Sequence, residues 1–357
     1  MSRVPLFATS LEPYMPRLTR RLAEVAESGR YILGPEVSAF EEEFAAYLGV
    51  RHCVGVGNGT DALTIAMRAL GVGPGDEVVV PSLTFYATAE AAVNAGATPV
   101  FADVDPDTLC ITRATVEPVL SERTKLIVPV HLFGNVAPVP ELRELGVPVL
   151  EDAAQAAGAA LGGVRAGALG DAATFSFFPS KNLPCLGDGG AVVTSSDEVA
   201  DRARRLRFHG SHDKTVHTDV GYNSRLDSLQ AAVLRELLGE LDGWNARRRA
   251  AAEAYERAGL GELVRLPVPT PGAEHVYHLY VVRADDPDAL VARLAQAGVQ
   301  ARRYYATPVH RQPAMEPYAQ GVSLPATEEA ARSIVALPMG PELTEEQVAA
   351  VVAAARA

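Results

Sequence analysis

The chain has 357 residues, of which 48% are hydrophobic and 21% charged, and its formal net charge is −12. This length favours two domains with ample buried core. The acidic balance argues against general binding to nucleic acids or anionic membranes, because both require basic patches. Three widely spaced cysteines without a Cys-x-x-Cys pair predict neither disulfides nor a zinc site.

The N-terminal segment lacks the unbroken apolar stretch of a signal peptide. Every long apolar run is interrupted by glycine, proline or a charge before it reaches the ~18 residues that a membrane-spanning helix requires. We therefore expect a soluble protein of the cytoplasm.

Between about residue 52 and residue 195, apolar runs rich in β-branched residues alternate with alanine-rich helical stretches. Continuously apolar strands with helices between them predict a mostly parallel sheet that is covered on both faces. The expected strands are 52–57, 76–81, 99–105, 125–131, 148–152, 173–178 and 191–195, and the expected helices include 60–70 and 87–96. In such α/β folds the ligand lies outside the carboxyl ends of the strands.

Beyond Gly221 the pattern changes to long helices and one alternating strand. The expected helices are 224–241, 246–258, 288–298 and a C-terminal helix that follows the N-cap residue Thr344, and the expected half-buried strand is 275–284. We therefore predict an α/β large domain over residues 30–245. Residues 1–29 and 246–357 are expected to form a smaller α+β domain.

Three polar segments at expected strand ends carry candidate chemistry. Gly57 to Asp61 precede a helix, where backbone N–H groups and the helix dipole can hold a phosphate, although most such turns serve only as a tight bend. Asp152 ends an apolar strand as either a helix N-cap or a partner for a protonated ring nitrogen. Lys181 follows aromatic residues and a proline, surroundings that lower the pKa of an ammonium as an imine-forming lysine requires.

Seven blocks in order along the chain resemble the DegT/DnrJ-type nucleotide-sugar aminotransferases, which are fold-type-I pyridoxal-phosphate enzymes of the aspartate aminotransferase superfamily. The blocks are Tyr31–Pro35, Gly59–Leu63, Pro81–Phe85, His131–Gly134, Glu151–Gln155, Phe175–Asn182 and Gly221–Arg225. As a set they are far more specific than any single motif. The resemblance covers nearly the whole chain and implies the cofactor pyridoxal 5′-phosphate.

The resemblance also implies a role for each matching residue. Lys181 is the expected Schiff-base lysine and general base, and Asp152 is expected to keep the pyridine nitrogen protonated. The other expected cofactor contacts are Gln155 to the ring hydroxyl, Phe85 on the ring face, Gly59, Thr60, Asp61 and Ser176 at the phosphate, and Asn223 from a neighbouring subunit. An active homodimer with shared sites follows from the role of Asn223.

Substrate contacts are expected at Tyr31, Arg225, Tyr305 and His310. Arg225 can pair with a donor carboxylate or a substrate phosphate, or can simply form an ion pair at a helix start. The segment Tyr304–His310 departs from the family pattern, in which the first position is His and the third is Pro. His310 can therefore equally be a structural histidine.

No metal site is expected. Asp103 and Asp105 form an Asp-x-Asp pair, but a turn explains them better than a metal. His131 has no second ligand at metal-binding spacing, and a position beside the cofactor is the better interpretation.

The expected reaction is transfer of an amino group from L-glutamate to a keto carbon of a dTDP- or UDP-linked deoxysugar. Asp188 in the segment Gly187–Gly190 favours a 3-keto over a 4-keto substrate within the family. Two alternatives stay open: a pyridoxal-phosphate sugar dehydratase and a non-catalytic regulator that binds the cofactor. The first is disfavoured by the presence of Lys181, and the second by the joint presence of Lys181, Asp152 and Gln155.

Overall fold

The computed structural model describes residues 3–357. The strands in this range are β1 (His52–Val56), β2 (Glu77–Pro81), β3 (Thr98–Ala102), β4 (Thr124–Ile127), β5 (Leu150–Asp152), β6 (Ala160–Leu161), β7 (Val164–Arg165), β8 (Ala172–Ser176), β9 (Gly190–Thr194), β10 (Ala273–Glu274), β11 (Tyr280–Arg283) and β12 (Ile334–Leu337). The α-helices are α1 (Met15–Ser28), α2 (Pro35–Leu48), α3 (Gly59–Ala69), α4 (Ala87–Asn94), α5 (Arg113–Val116), α6 (Val139–Arg143), α7 (Asp197–Leu206), α8 (Ser228–Leu238), α9 (Leu241–Arg257), α10 (Pro287–Gln296), α11 (Pro325–Ser333) and α12 (Glu345–Arg356).

Seven of these strands form a central sheet in the order β3-β2-β4-β5-β8-β9-β1. Parallel bridges from Ile127 to Val149 and from Val130 to Asp152 join its two halves between β4 and β5. β9 pairs antiparallel with both of its neighbours, whereas the other pairings are parallel. The expected mostly parallel sheet flanked by helices is confirmed, and one reversed strand is added to it.

Several strands are shorter than the apolar pattern predicts. The run 125–131 forms a regular strand only to Ile127, because Pro129 has no N–H to donate to β5 and interrupts the ladder, which resumes at the bridge from Val130 to Asp152. The stretch 275–284 forms a strand only from Tyr280, and Tyr280, Val281 and Val282 are all buried instead of alternating. Tyr280 and Val282 pack in an apolar cluster that α9, α10 and α12 cover, whereas Val281 on the other face packs in the main core.

The C-terminal helix begins as expected at its N-cap. Thr344 Oγ1 accepts a hydrogen bond from the backbone N–H of Gln347, whose side chain in turn accepts from the Thr344 N–H, so a capping box stabilises the first turn.

The C-terminal part is centred on the antiparallel pair of β11 and β12. The N-terminal segment lies beside it through backbone bridges from Val4 to Val299 and from Phe7 to Met339, whereas α1 lies against α8. The proposed boundaries at residues 29 and 245 stay a prediction, and residues 1 and 2 of the smaller unit lie outside the described part. No helix within residues 3–357 is both long and apolar enough to cross a membrane.

Candidate active site

A cavity of about 660 Å³ opens at the carboxyl ends of β1, β2, β5 and β8. The topology explains this position, because the ends of parallel strands meet at one edge of a sheet. Nine of the residues predicted to form the site line the cavity: Gly59, Thr60, Asp61, Phe85, Asp152, Gln155, Ser176, Lys181 and Tyr305. Segments that are far apart in the sequence are therefore brought into one pocket.

Lys181 follows β8 and lines this cavity. Burial lowers the pKa of its ammonium to about 8, while the nearby charge of Asp152 acts in the opposite direction. An amine with this pKa exchanges its proton near neutral pH and is nucleophilic when neutral. The lowered pKa expected from the aromatic surroundings is thus present in the fold.

Asp152 is the last residue of β5 and is 5% exposed. Its carboxylate accepts a hydrogen bond from Thr88 Oγ1 at 2.8 Å and another from the backbone N–H of Ala154 at 3.2 Å. Burial raises the pKa of Asp152, and the two hydrogen bonds and Lys181 oppose that rise. The carboxylate is therefore held in place at the cavity wall, where a cationic group of a ligand can pair with it.

Gln155 is oriented by the backbone on one side and by a phenol on the other. Its Oε1 accepts from the N–H of Phe133 at 2.7 Å, and its Nε2 donates to the hydroxyl of Tyr305 at 3.3 Å. The ring of Tyr305 stacks on that of Phe133, with 6.2 Å between the ring centroids. The amide nitrogen is thereby fixed as a donor on the cavity side.

The N-terminus of α3 forms the opposite end of the cavity. Asn58 caps the helix by accepting from the N–H of Asp61 at 2.8 Å. The carboxylate of Asp61 accepts from Ser224 Oγ at 2.5 Å. Because the Asp61 side chain is bound to Ser224 and the Asp61 N–H to Asn58, the helix start keeps its positive dipole end and the N–H groups of Gly59 and Thr60 for an anion.

Gly59 marks the closest approach between α3 and β8. A Cβ atom at this position would lie 2.8 Å from Ser176 Cβ, well inside normal contact. Only a residue without a side chain lets the helix start and the strand end enclose the same small volume. The turn thus has the dimensions of an anion cradle as well as the required donors.

Four predicted site residues do not line the cavity of this chain: Tyr31, Asn223, Arg225 and His310. Asn223 is exposed, and the Arg225 guanidinium lies 5.7 Å from the ring centroid of Phe208. The Tyr31 hydroxyl donates to the carbonyl of Ala26 at 2.9 Å.

His310 is buried away from the cavity. Its Nδ1 lies 2.6 Å from Ser82 Oγ, and its Nε2 lies 3.2 Å from Glu328 Oε1. Both ring nitrogens are thereby engaged, so the geometry favours the structural alternative for this residue. It holds the segment that carries Tyr304 and Tyr305 against the end of β2.

His131 does not line the cavity either, so the geometry favours a structural role, and its expected position beside the cofactor stays a prediction. The ring is fully buried, with Nε2 2.8 Å from Glu151 Oε2 and Nδ1 accepting from the N–H of Ala137 at 3.1 Å. The His131 ring does not line the cavity, because it is hydrogen-bonded to Glu151 and not to the neighbouring Asp152, which does line it. Strand alternation sends these two acidic residues to opposite faces of the sheet.

Sequence reasoning missed several lining residues, among them Thr88, His278 and Phe7. Thr88 lies within an alanine-rich helix and His278 within an apolar run, so neither position carries a polar signal. His278 Nδ1 is buried without a hydrogen-bond partner in the part of the chain that the structure describes. Burial lowers the pKa of His278 well below its ordinary value, which keeps the ring neutral.

The Asp-x-Asp pair serves local structure. Asp103 accepts from the N–H groups of Ala326 and Thr327 at the start of α11, and Asp105 accepts from the N–H of Thr108 in a turn. Within residues 3–357 these and other acidic, histidine and cysteine side chains form no group of three suited to a metal ion.

Comparison with known proteins places this geometry among aminotransferases. The model of the DegT/DnrJ/EryC1/StrS aminotransferase family matches residues 15–356. The chain is 47% identical over 343 residues to the dTDP-3-amino-3,4,6-trideoxy-alpha-D-glucose transaminase of Streptomyces venezuelae, covering 94% of this chain and 90% of that protein. It is 43% identical over 341 residues to the UDP-N-acetyl-3-dehydro-alpha-D-glucosamine 3-aminotransferase of Acidithiobacillus ferrooxidans, with coverage of 94% and 92%.

A third relative bears a regulatory name. The chain is 46% identical over 345 residues to a pleiotropic regulatory protein of Geobacillus stearothermophilus, covering 94% of this chain and 92% of that protein.

Solved structures agree with these sequence matches. The structure of DesV from S. venezuelae in complex with a ketimine intermediate superposes with a TM-score of 0.96 at 45% identity, covering 100% of this chain and 98% of that one. NtdA from Bacillus subtilis with bound cofactor PMP superposes with a TM-score of 0.89 at 30% identity, covering 100% of this chain and 86% of that one. The expected fold-type-I architecture is confirmed.

Proposed function

Because the chain belongs to the DegT/DnrJ/EryC1/StrS aminotransferase family, we propose that it uses pyridoxal 5′-phosphate to aminate a nucleotide-linked keto sugar. The observation that carries the proposal is the joint presence of Lys181 and Asp152 on the wall of one cavity. Few other functions need a lysine of lowered pKa and a buried carboxylate facing the same space.

The residues of the cavity fit this cofactor from end to end. The N-terminus of α3 and the turn at Gly59 suit the phosphate, Asp152 suits the pyridine nitrogen, and Gln155 Nε2 is a donor for the ring hydroxyl. The amine of Lys181 suits a covalent bond to the carbonyl carbon of the cofactor. When bound, the cofactor supplies an electron sink that makes the substrate C–H bond acidic.

The side chains of the chain itself then have defined tasks. Lys181, with a pKa of about 8, takes a proton from one carbon and returns it to another. The Asp152 carboxylate pairs with the positive charge on the pyridine nitrogen of the cofactor. The hydrogen bond from Thr88 keeps this carboxylate oriented towards the cavity. Phe85 supplies an apolar face at the mouth.

We further propose a 3-keto substrate linked to dTDP or UDP. Two relatives at 43% and 47% identity are named for nitrogen transfer at sugar carbon 3. Asp188, on which the sequence-based preference for a 3-keto sugar depends, lines the cavity. L-glutamate is the proposed amino donor, on the family resemblance, and Arg225 is the candidate partner for its carboxylate or for a substrate phosphate.

The proposed active unit is a homodimer whose subunits share their sites. Phe85 and Phe178 line the cavity yet are 56% and 51% exposed in a single chain, which leaves large apolar surfaces for a second copy to cover. Asn223, exposed and outside its own cavity, is free to reach that of the neighbour, as its expected role requires. Tyr31 is 47% exposed and also lies outside the cavity of its own chain, so it too can reach the cavity of the neighbouring subunit.

Absorption spectroscopy tests the reaction. The purified protein should show a visible absorption band that disappears on addition of L-glutamate and returns on addition of a dTDP- or UDP-linked 3-keto sugar, with the amino sugar detected by mass. Lys181→Ala should lack the band, whereas Lys125→Ala, at an exposed lysine, should retain it. A band that no amino acid bleaches would contradict the aminotransferase proposal and leave the regulator or the dehydratase.

The regulator alternative has one observation in its favour, the name of the Geobacillus stearothermophilus relative. The same spectroscopic experiment separates the two functions, since a regulator binds the cofactor without turnover.

A further inference from the structure

His278 is a buried polar residue of the cavity for which the fold provides no partner. It lines the cavity that contains Lys181 and is only 4% exposed. Its Nδ1 is fully buried and has no hydrogen-bond partner within residues 3–357, and no described residue engages Nε2 either. By contrast, Asn58, Thr84 and Gln155 on the same cavity wall each have a partner in the fold. A buried imidazole that stays unpaired costs free energy, so its position calls for a functional explanation.

The backbone holds this imidazole in place. The segment Val276–Leu279 is bonded to the loop after β4, because the N–H of Val276 donates to the carbonyl of Gly134 at 3.0 Å and that of Leu279 to the carbonyl of Phe133 at 3.3 Å. A Cβ atom at Gly134 would lie 2.9 Å from the backbone nitrogen of His278, so the two segments are in direct contact. With Nδ1 sealed inside the protein, the Nε2 edge of the ring is the side on which a ligand in the cavity can meet it.

The same segment is tied to the turn that carries Lys181. Asn182, the next residue, donates from Nδ2 to the carbonyl of Val276 at 3.0 Å. On another side the ring of Phe7 lies 6.3 Å from that of His278, measured between the centroids. The imidazole is therefore held in the part of the cavity where Lys181 acts.

The charge state of the ring restricts the ligand group that it suits. Burial lowers the pKa of His278 well below its ordinary value, and the positive charges of Lys181 and Arg248 lower it further. The neutral ring has one donor and one acceptor and matches a hydroxyl, which can donate and accept as well. A carboxylate such as that of glutamate pairs better with a cation. Of the two proposed substrates, the sugar is thus the better partner for this residue.

We propose that His278 Nε2 hydrogen-bonds a hydroxyl next to the keto carbon of the sugar and thereby contributes to substrate specificity. The inference rests on the proposed function, because it assigns a partner to a group of the keto sugar. Since the imidazole is fixed in the region of Lys181, the hydroxyl that it binds lies close to the carbon on which Lys181 acts. A sugar without this hydroxyl leaves the imidazole unpaired, and such a site discriminates against it.

The two half-reactions of the holoenzyme, followed separately by absorption, test the inference. With L-glutamate alone, His278→Phe should bleach the visible band at about the wild-type rate. With a low concentration of the dTDP- or UDP-linked 3-keto sugar, the band should return about ten-fold more slowly than in the wild type, as expected for one lost hydrogen bond. His278→Gln should recover part of this loss, because its amide nitrogen can occupy the position of Nε2.

Deoxy analogues identify the hydroxyl. The wild type should lose about ten-fold in the sugar half-reaction when the hydroxyl at carbon 2 or at carbon 4 is absent, and His278→Phe should not distinguish that analogue from the parent sugar. Calorimetry with the corresponding 3-hydroxy sugar nucleotide, which cannot accept an amino group, should show the same pattern in the dissociation constants. This measurement does not depend on turnover.

His275→Phe is the matched control. His275 is also buried, but its Nδ1 accepts from the N–H of Tyr277 at 2.8 Å and it does not line the cavity. This variant should lower the thermal midpoint and yet distinguish the deoxy analogue from the parent sugar as the wild type does. A merely structural role of His278 would give the same result as His275→Phe.

Two results would overturn the inference while the proposed function stands. One is a His278→Phe enzyme that still distinguishes the deoxy analogue as the wild type does. The other is an equal loss in the glutamate and the sugar half-reactions, which would remove the preference for the sugar. If the wild-type band bleaches with glutamate but returns with no keto sugar, the proposed substrate class fails and the inference fails with it.

Discussion

Lys181 and Glu151 show that burial has opposite consequences for two charged residues of this fold. Glu151 is fully buried, but its carboxylate accepts hydrogen bonds from the N–H groups of Gly167, Leu169 and Gly170 and from His131. Among residues 3–357 Lys181 has no comparable set of partners, and burial lowers its pKa. One residue is a structural anchor, and the other is kept reactive.

The lowered pKa of Lys181 makes the stability of the apoprotein depend on pH. The folded chain releases this proton near pH 8, whereas the unfolded chain holds it up to the ordinary pKa of 10.5. Within this window the unfolded state binds more protons, so stability rises with pH. Relative to Lys181→Met, the wild-type free energy of unfolding should increase by up to about 3 kcal/mol across the window.

Urea denaturation of the apoprotein at a series of pH values measures this difference. Lys125→Met serves as the control, because Lys125 is exposed and should give the same pH dependence as the wild type. Parallel curves for the wild type and Lys181→Met would contradict the prediction.

Glu151→Gln should destabilise the fold without touching the cavity. Glu151 Oε1 accepts from the N–H groups of Leu169 and Gly170 at 2.9 and 2.7 Å, and Oε2 from that of Gly167 at 2.8 Å. Replacing either oxygen by an NH₂ group places donor against donor, at a loss of roughly 2–4 kcal/mol. Chemical denaturation measures the loss, and the exposed Glu144→Gln should stay within about 0.5 kcal/mol of the wild type.

At the scale of elements, site residues that follow the carboxyl ends of strands could be predicted well. Lys181 and Asp152 could be predicted because a polar residue that follows an apolar run is a visible signal, whereas the role of Gln155 is implied only by the family resemblance. Thr88 and His278 could not be found, since they lie inside an alanine-rich helix and an apolar run whose patterns indicate only burial. The end of β4 at Ile127 could not be predicted from hydrophobicity, because Pro129 interrupts the ladder within an apolar run.

The close contact between α3 and β8 gives a prediction about Gly59. In Gly59→Ala the new Cβ would lie 2.8 Å from Ser176 Cβ, so the helix start must move away from the strand end. Overpacking of this kind typically costs about 1–3 kcal/mol. It should also raise the dissociation constant for pyridoxal phosphate, measured by fluorescence or absorption titration.

Two further variants test the steric cause. Gly59→Ala combined with Ser176→Gly should recover part of the lost stability, because the opposing Cβ is gone. Gly239→Ala, where a Cβ meets no atom within 4 Å, should be neutral. Equal effects at positions 59 and 239 would show that the contact does not matter.

At the scale of the whole molecule, the sequence indicates the layers of the fold but not their order. Apolar runs and intervening helices predict a covered, mostly parallel sheet. They contain no signal for the order β3-β2-β4-β5-β8-β9-β1 or for the reversal of β9, because both depend on pairings between distant segments. The same is true of Phe7, which lies far from the other cavity residues in the sequence.

A shared site in the proposed homodimer predicts complementation between two defective chains. Lys181→Ala and Asn223→Ala should each lose most activity. When the two chains pair at random, half of the dimers are mixed, and each mixed dimer contains one intact site, so about one quarter of wild-type activity should return. Co-expression with two different affinity tags isolates the mixed dimers, which should show about half of the wild-type activity, one intact site out of two.

Complementation that is absent from pure mixed dimers would place Asn223 outside the partner's site. Sedimentation velocity on each variant provides the control, since both should form dimers like the wild type.

The cavity around Lys181 takes residues from Phe7 near one end of the chain to Tyr305 near the other. During synthesis on the ribosome, the cradle at α3 and the end of β8 emerge long before Tyr305 has been translated. A nascent chain can therefore assemble the α3 end of the cavity early, while the wall formed by Phe7, Tyr304 and Tyr305 closes only after residue 305 has been translated. Chains truncated before residue 304 lack this wall and should retain the cofactor less well than the full chain.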